Sequence, residues 1–355
     1  MNNPRIITAI LIASSLMIAC SRNKTAPAPL QPAAPSPSSA SKPAASPLRA
    51  AATPTTSETV VADIATEKAP APLALVLSQS APPGLTATIE PKVIERGSPC
   101  LFAITAPKAL SSLNGSLMGK RVFFNPDQSR KTWYGLAGVG LESRLGSQTI
   151  TLKGSDAAGQ PVTFTAQFEI EAGKANITVP PEFTNPDDEE KARAAREAIL
   201  KREVFKTLSA EALWNGSFLC PVGRDIRVTA VFAGTRRFNR GPVKSHRGAD
   251  FGAPKGTPIK AMNGGKVILA RNLFYDGNIV TIDHGQGLLS LYLHLSKFEV
   301  KEGDKVGPGQ IIGLSGGTGR ASGPHLHLQV KWEGIDIDPM ELMTLKLPSN
   351  LAKSN

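Results

Sequence analysis

The sequence GPHLHLQV at residues 323–330 places two histidines, His325 and His327, at alternate positions of an aliphatic run. Alternating polar and apolar residues predict a β-strand, on which side chains two positions apart project to the same face. The two imidazoles are therefore expected to share one small volume, while Leu326 and Leu328 face the opposite side. A strand of this kind predicts a mainly β fold for the region around it.

All five histidines of the 355-residue chain lie in its C-terminal third, at His246, His284, His294, His325 and His327. The segment HRGAD places His246 and Asp250 four positions apart. Two imidazoles and one carboxylate are the ligands of a catalytic zinc ion that keeps its fourth position open. Gly248 and the following FGAPKGTP oppose a helix, so we expect these two ligands on a loop.

The segments around these residues have the pattern of β-hairpins. KVILARN, NIVTID, GLLSLYLHL and QIIGLS are strand-like, and YDGN, HGQG and GDKVGPG are turn signals between them. Alternation in LYLHL predicts that Tyr292 and His294 share a strand face near the metal site. Tyr292 is interpreted either as a substrate or oxyanion contact or as a packed aromatic residue. His284 is interpreted as part of a hairpin connection and not as a catalytic residue.

Five motifs occur together in this region: HxGxDF, YxHLS, GDxVxxGQ, TGxxxGPHLH and IDP. As a set they resemble the LytM/lysostaphin-type zinc endopeptidases of peptidoglycan, over a domain that we place at residues 215–345. The resemblance implies one zinc ion per chain, held by His246, Asp250 and His327. It also implies that His294 and His325 are unliganded catalytic histidines that activate the water and stabilise the tetrahedral oxyanion.

One element departs from the family pattern. The family commonly has FGxR before its first ligand, whereas VTAVFAGTRRFN inserts Ala233 between Phe232 and Gly234. Arg236 and Asn239 are still candidate substrate-binding residues, because a guanidinium can bind substrate carboxylates or carbonyls with a planar fork. The alternative is that the adjacent Arg236 and Arg237 are simply solvated at the surface.

A non-enzymatic interpretation comes from AMNGGKV together with GDKVGPGQIIG, which resembles the hairpins of biotin and lipoyl carrier domains. Carrier domains present a modifiable lysine at a hairpin tip, and no segment matches that lysine motif. The carrier hypothesis also leaves the histidines unexplained.

Residues 1–19 have the pattern of a lipoprotein signal peptide. The apolar run IITAILIASSLMIA that follows Arg5 is shorter than the roughly 20 residues of a transmembrane helix. Met17–Cys20 resembles a bacterial lipobox, which implies lipidation of Cys20 and a membrane anchor. Ser21 resembles the pattern that sorts lipoproteins to the outer membrane, so we expect the periplasmic face of that membrane. Ordinary secretion, with cleavage after a nearby alanine, is the alternative.

Three further segments complete the predicted organisation. Residues 20–82 are rich in Pro, Ala and Ser and predict a disordered tether. Strand-like pieces over residues 83–173 predict a small β-sandwich of immunoglobulin-like type. The acidic start and strong helix formers of residues 186–214 predict a charged connecting helix. Residues 346–355 are a tail.

Cysteine content and charge fit an exported protein. Besides Cys20 the chain has Cys100 and Cys220, which could form a disulfide in an oxidising compartment or remain two separate buried thiols. The net charge of +11 would suit anionic wall polymers and membrane surfaces. Nucleic acid is not an expected partner of an exported protein.

The function expected from these features is zinc-dependent hydrolysis of peptide bonds in peptidoglycan stem peptides or cross-links, in the cell envelope. A non-catalytic LytM-type domain that activates a peptidoglycan amidase, or serves as a wall scaffold, is the alternative. An endopeptidase that attacks glycine-rich proteins is a third possibility.

Overall fold

The structure is a computed structural model that describes residues 72–173, 177–178, 185–206, 209–237, 243–349 and 351. Strands make up 46% of it and helices 9%, which confirms the mainly β prediction. Among the described residues no helix combines the length and apolar character that a bilayer crossing requires. The predicted signal peptide, the lipidation site Cys20 and most of the predicted tether lie outside the described residues.

The N-terminal part of the described chain contains nine antiparallel strands. They are β1 (Leu73–Ala74), β2 (Val76–Leu77), β3 (Thr86–Glu90), β4 (Pro99–Thr105), β5 (Leu110–Leu117), β6 (Lys120–Pro126), β7 (Thr132–Gly138), β8 (Gly146–Asp156) and β9 (Pro161–Ile170). Strand β6 pairs with β5 through its first half and with β7 through its second half, so it passes from one sheet to the other.

These strands form a sandwich with the order β1-β3-β4-β7-β6 in one sheet and β5-β8-β9-β2 in the other. The order β3-β4-β7-β6 facing β5-β8-β9 corresponds to the ABED and CFG sheets of a constant-type immunoglobulin domain. Phe102 and Phe168 meet edge to face between the sheets, 5.7 Å apart. The sandwich begins at Leu73, so the predicted boundary of the tether at residue 82 is wrong. Its first two strands lie inside the predicted tether.

Helix α1 (Asp188–Val204) follows the sandwich. Asp187 accepts a hydrogen bond from the Glu190 N–H, and the Glu190 side chain accepts one from the Asp187 N–H, which is a capping box. The helix ends at Val204, with Phe205 as its C-cap, and not at residue 214 as predicted. Leu200 and Phe205 pack against buried leucines of the C-terminal domain.

The remaining strands, from the two-residue β10 onward, form the C-terminal domain with a short second helix. They are β10 (Ile177–Thr178), β11 (Val228–Ala230), β12 (Thr235–Arg237), β13 (Val243–Ser245), β14 (Ala249–Phe251), β15 (Pro258–Lys260), β16 (Gly265–Leu273), β17 (Gly277–Gly285), β18 (Leu288–Leu295), β19 (Lys297–Phe298), β20 (Lys305–Val306), β21 (Ile311–Leu314), β22 (Leu326–Trp332), β23 (Ile335–Ile337) and α2 (Pro339–Thr344).

The main sheet of this domain has the order β11-β14-β22-β18-β17-β16-β20, with β23 paired to β22. Smaller sheets have the orders β10-β12-β13 and β15-β21-β19. One face of the main sheet belongs to a hydrophobic core that continues into the sandwich, where Ile337 and Trp332 lie beside Gly138. The other face carries Leu289, Leu291 and Leu293 and is covered by the end of α1. Apolar side chains of the sandwich and of the C-terminal domain are thus buried in one continuous hydrophobic core.

Candidate metal centre and active site

Two adjacent strands and the loop before them bring three polar side chains together. Asp250 on β14 lies in register opposite His327 on β22. His246 comes directly after β13. Its Nε2 lies 3.1 Å from Asp250 Oδ1 and 3.0 Å from His327 Nδ1, and the last two atoms are 2.7 Å apart. The three donor atoms thus form a small triangle, and these three residues are the metal ligands that the family resemblance implies.

The donor set and its spacing fit a zinc ion. For a tetrahedral zinc ion with bonds of about 2.0–2.1 Å, neighbouring ligand atoms are roughly 3.3 Å apart, slightly more than the edges of this triangle. Burial alone would raise the pKa of Asp250, but its hydrogen bonds to His246 and His327 and their charges hold that pKa well below its usual value. The carboxylate is therefore ionised, as metal binding requires.

The tautomer of His246 is set by a backbone contact. Its Nδ1 lies 2.8 Å from the Val231 carbonyl, and since a carbonyl only accepts, Nδ1 donates. This leaves the lone pair on Nε2, which faces the triangle. A carbonyl that orients a ligating histidine in this way is typical of metal sites.

The inserted residue Ala233 lies directly behind His246. Ala233 has a left-handed backbone with φ of 60°. Its N–H donates to the His246 carbonyl at 2.9 Å, and the His246 N–H donates to the Gly234 carbonyl at 2.7 Å. The departure from the family pattern at this position therefore supports the backbone of the first candidate ligand.

His294 reaches the same site through an irregular backbone. It has φ of 63°, and the pairing of β17 with β18 shifts between Val280 and Asn278. Its ring centroid lies 4.8 Å from that of His325 and 6.1 Å from that of His327. A non-glycine residue in this conformation is uncommon and costs of order 1–3 kcal/mol, which points to a functional constraint.

Both additional histidines are held by carbonyl groups. His294 Nδ1 lies 2.8 Å from the Thr318 carbonyl, and His325 Nδ1 lies 2.8 Å from the Gly323 carbonyl. Burial, together with the neighbouring His325 and His327, lowers the pKa of His294 to about 4. His294 is therefore neutral at pH 7, with its lone pair on Nε2. In this form it can accept a proton.

Tyr292 is a core residue. Its side chain is fully buried, and its hydroxyl oxygen accepts a hydrogen bond from the Met262 N–H at 2.8 Å and lies 3.0 Å from Ser290 Oγ. The prediction that Tyr292 shares a strand face with His294 is wrong, because Tyr292 pairs with Leu328 on the core face and the bulge turns His294 to the opposite face. Tyr292 is thus not placed to contact substrate.

His284 is also part of the core. It is fully buried at the end of β17, where Nδ1 donates to the Gly264 carbonyl at 2.7 Å and Nε2 accepts from Ser290 Oγ at 2.7 Å. Burial lowers its pKa to about 4. Its two hydrogen bonds account for both ring nitrogens, in line with the structural role expected from the sequence.

The remaining candidates have different outcomes. The backbone of Arg236 lies in β12, next to the candidate site, but its side chain and all of Asn239 are outside the described residues. Cys100 and Cys220 are free thiols, the first buried and the second exposed, so this structure has neither the possible disulfide nor two buried thiols. Asp276 and Thr318, whose carbonyl groups hold His294, could not be recognised from the sequence, because a backbone contact has no sequence signature.

Residues 244–339 match the model of peptidase family M23. The C-terminal domain belongs to peptidase family M23. A crystal structure from Pseudomonas aeruginosa that is assigned to peptidase M23 is 27% identical with a TM-score of 0.51, and the match covers 75% of this chain and 96% of that one. This likeness extends beyond the M23 domain.

Curated relatives match a smaller part of the chain. The peptidoglycan DD-endopeptidase ShyA of Vibrio cholerae is 48% identical over 99 residues, which are 28% of this chain and 23% of ShyA. The DD-carboxypeptidase/endopeptidase Mpg of Neisseria meningitidis is 40% identical over 97 residues, 27% of this chain and 22% of Mpg. The chain thus spans about a quarter of the length of the curated relatives that it matches.

Proposed function

We propose that this protein is a zinc-dependent endopeptidase that hydrolyses peptide bonds in peptidoglycan stem peptides or cross-links. The observation that carries the proposal is the triangle of His246 Nε2, Asp250 Oδ1 and His327 Nδ1, with two further histidine rings beside it. Relatives of the M23 domain are named peptidoglycan DD-endopeptidases, which supports the substrate class.

The three residues of the triangle would hold the metal, and the two other histidines would activate the water and stabilise the tetrahedral oxyanion. A bound zinc ion would supply Lewis acidity that polarises the scissile carbonyl. Neutral His294 accepts the proton of the attacking water at Nε2 and can return it to the departing amine. The ring of His325 lies 4.8 Å from that of His294, and its Nδ1 is held by the Gly323 carbonyl. No covalent enzyme intermediate is needed.

We also propose that the enzyme acts in the cell envelope. Export by residues 1–19 and lipidation of Cys20 would anchor it at the periplasmic face of the outer membrane. The proline-rich segment after Cys20 would act as the tether. Labelling with a radioactive fatty acid tests the anchor, because Cys20→Ser would remove the label and an unchanged label would contradict it.

Digestion of purified sacculi tests the activity. Residues 21–355 are incubated with sacculi, with and without a chelator, and released muropeptides are identified by mass spectrometry. We expect chelator-sensitive loss of cross-linked dimers, and the products identify the bond. The matched control is His327→Ala. Intact sacculi in the presence of zinc-loaded protein would contradict the proposal and favour a non-catalytic role, and equal digestion of a glycine-rich protein would contradict the substrate class.

A further inference from the structure

Helix α1 lies outside the segment that matches the M23 family, yet its side chains bind one turn of the M23 domain through a hydrogen bond and an ion pair. This turn, residues 274–276, joins β16 to β17. Glu197 Oε2 accepts a hydrogen bond from the Phe274 N–H at 2.7 Å, and Lys201 Nζ lies 2.5 Å from Asp276 Oδ2. Arg193 lies over the Phe274 ring, 5.9 Å from its centroid, and donates to Asn272 Oδ1 at 3.1 Å.

These contacts form one stripe along the helix. Arg193, Glu197 and Lys201 are spaced four residues apart, so they lie on the same face. Arg193 also bonds Glu197 at 2.7 Å, which fixes the carboxylate that receives the Phe274 N–H. The side chains of Lys201 and Asp276 are only 29% and 15% exposed, so water screens this ion pair less than it screens a surface pair.

The same turn holds the backbone of His294. The Asp276 carbonyl accepts a hydrogen bond of 3.0 Å from the N–H of His294, and His294 is the residue whose φ is 63°. Two residues after Asp276 along the chain, the Asn278 N–H donates to Thr318 Oγ1 at 2.8 Å, and the Thr318 carbonyl accepts from His294 Nδ1. The backbone and the ring of His294 are therefore both set by groups that meet at this turn.

We infer that α1 positions the proton-transferring histidine, with Glu197 and Lys201 as its positioning residues. They act through the 274–276 turn: Lys201 holds the side chain of Asp276, and the carbonyl of the same residue stabilises the left-handed backbone of His294. Neither side chain touches the metal triangle. The inference rests on the proposed function for its catalytic consequence, whereas the placement of His294 can be measured separately.

The effect on catalysis is tested with Lys201→Met, and Lys191→Met is the matched control. Lys191 is on the same helix, but its ion pair with Asp188 is solvent-exposed. We expect Lys201→Met to lower kcat about 10-fold, because a small displacement of a catalytic group has a large effect on the rate. KM and zinc content should be unchanged, Lys201→Arg should restore kcat, and Lys191→Met should match the wild type.

A second pair of variants separates positioning from helix stability. Glu197→Gln keeps an oxygen acceptor for the Phe274 N–H and should retain kcat, whereas Glu197→Ala removes the acceptor and should lower it. The inference is overturned if kcat is unchanged in both Lys201→Met and Glu197→Ala. It is also overturned if kcat falls only in proportion to the folded fraction measured by circular dichroism.

The placement of His294 is read independently of activity by NMR of protein with ¹⁵N-labelled histidine. In the wild type the Nδ1–H tautomer is expected, because Nδ1 donates to the Thr318 carbonyl. Lys201→Met should shift the His294 ring signals and leave those of buried His284 in place. An inactive wild type would refute the proposed function alone, whereas unshifted His294 signals would refute the positioning role.

Discussion

Asn125 and Gln286 form a reciprocal pair of side-chain hydrogen bonds between the sandwich and the M23 domain. Asn125 Nδ2 donates to Gln286 Oε1 at 3.0 Å, and Gln286 Nε2 donates to Asn125 Oδ1 at 2.9 Å. Both side chains are buried. Because a buried amide is costly unless it is paired, this contact ties the orientation of the sandwich to that of the main sheet of the M23 domain.

Removing one partner of this pair should therefore destabilise the whole unit. Asn125→Ala leaves the Gln286 amide buried without its partner, and we expect a loss of about 1–3 kcal/mol in the free energy of unfolding. The measurement is denaturant unfolding followed by tryptophan fluorescence. The exposed Asn114→Ala, in the same domain, should change stability by less than about 0.5 kcal/mol. Equal effects of the two substitutions would show that the pair adds nothing.

The same interface contains a carboxyl group that makes its stability depend on pH. Burial, with smaller contributions from Asp338 and Glu95, raises the pKa of Glu341 to about 7, although Ser98 donates a hydrogen bond to it. Between about pH 4.5 and pH 7 the unfolded chain loses this proton while the folded chain keeps it. The free energy of unfolding should therefore fall as pH rises through this range.

Glu341→Gln isolates this contribution. The amide resembles the protonated acid, so we expect the variant to be more stable than the wild type by of order 1 kcal/mol at pH 8, and equally stable at pH 4. The measurement is denaturant unfolding at both pH values. Exposed Glu142→Gln is the control for general charge effects. A difference between variant and wild type that does not change with pH would contradict the assignment.

Sequence patterns predicted the part of the site that depends on local periodicity. The alternation in HLHL places His327 on a strand, where Asp250 lies opposite it in register. The same rule failed at Tyr292 and His294, because a bulge and a left-handed residue interrupt the alternation. Nothing in LYLHLS signals that interruption, which is stabilised by the distant carbonyl groups of Asp276 and Thr318.

Long-range contacts limited the prediction of the sandwich in a similar way. Strand β5, LSSLNGSL, is half polar, and strand β7, TWYGLAG, contains two glycines, so neither has a strong strand signal. Gly135 on β7 is explained only by the structure, where an added Cβ would lie 2.7 Å from the Phe124 ring. Pairing of β7 with β4 and β6, and of β5 with β6 and β8, overrides the weak local preference of these two segments for a strand.

The two cysteines should behave as separate thiols. Burial raises the pKa of Cys100 well above its ordinary value, with a contribution from Glu341, so its thiol is unreactive, whereas Cys220 is exposed. In residues 21–355 we expect a thiol reagent to modify one cysteine in the native protein and two after unfolding. Mass spectrometry of the labelled peptides would identify Cys220 as the first site. Absence of labelling in the unfolded protein would indicate a disulfide.

Gly248 should be needed for tight metal binding although it supplies no ligand. An added Cβ at this position would overlap the Leu328 carbonyl and lie 2.8 Å from His327 Nε2. We therefore expect Gly248→Ala to weaken zinc binding by about 10–100-fold, as displacement of a supporting group does. Competition with a chromogenic chelator measures this affinity. At Gly307 an added Cβ meets no atom within 4 Å, so Gly307→Ala should bind zinc normally.

The separate roles of His327 and His294 can be distinguished by measuring zinc and turnover in the same samples. His327 Nδ1 lies within the triangle, so His327→Ala should lose both zinc and activity. The ring of His294 adjoins the triangle without contributing an atom to it, so His294→Ala should retain stoichiometric zinc and lose turnover by about 10²–10⁴-fold. The ratio of zinc to protein by mass spectrometry and kcat on a cross-linked muropeptide give the two values. Full activity in His294→Ala would remove that residue from the mechanism, and loss of zinc in the same variant would make it a support of the metal site.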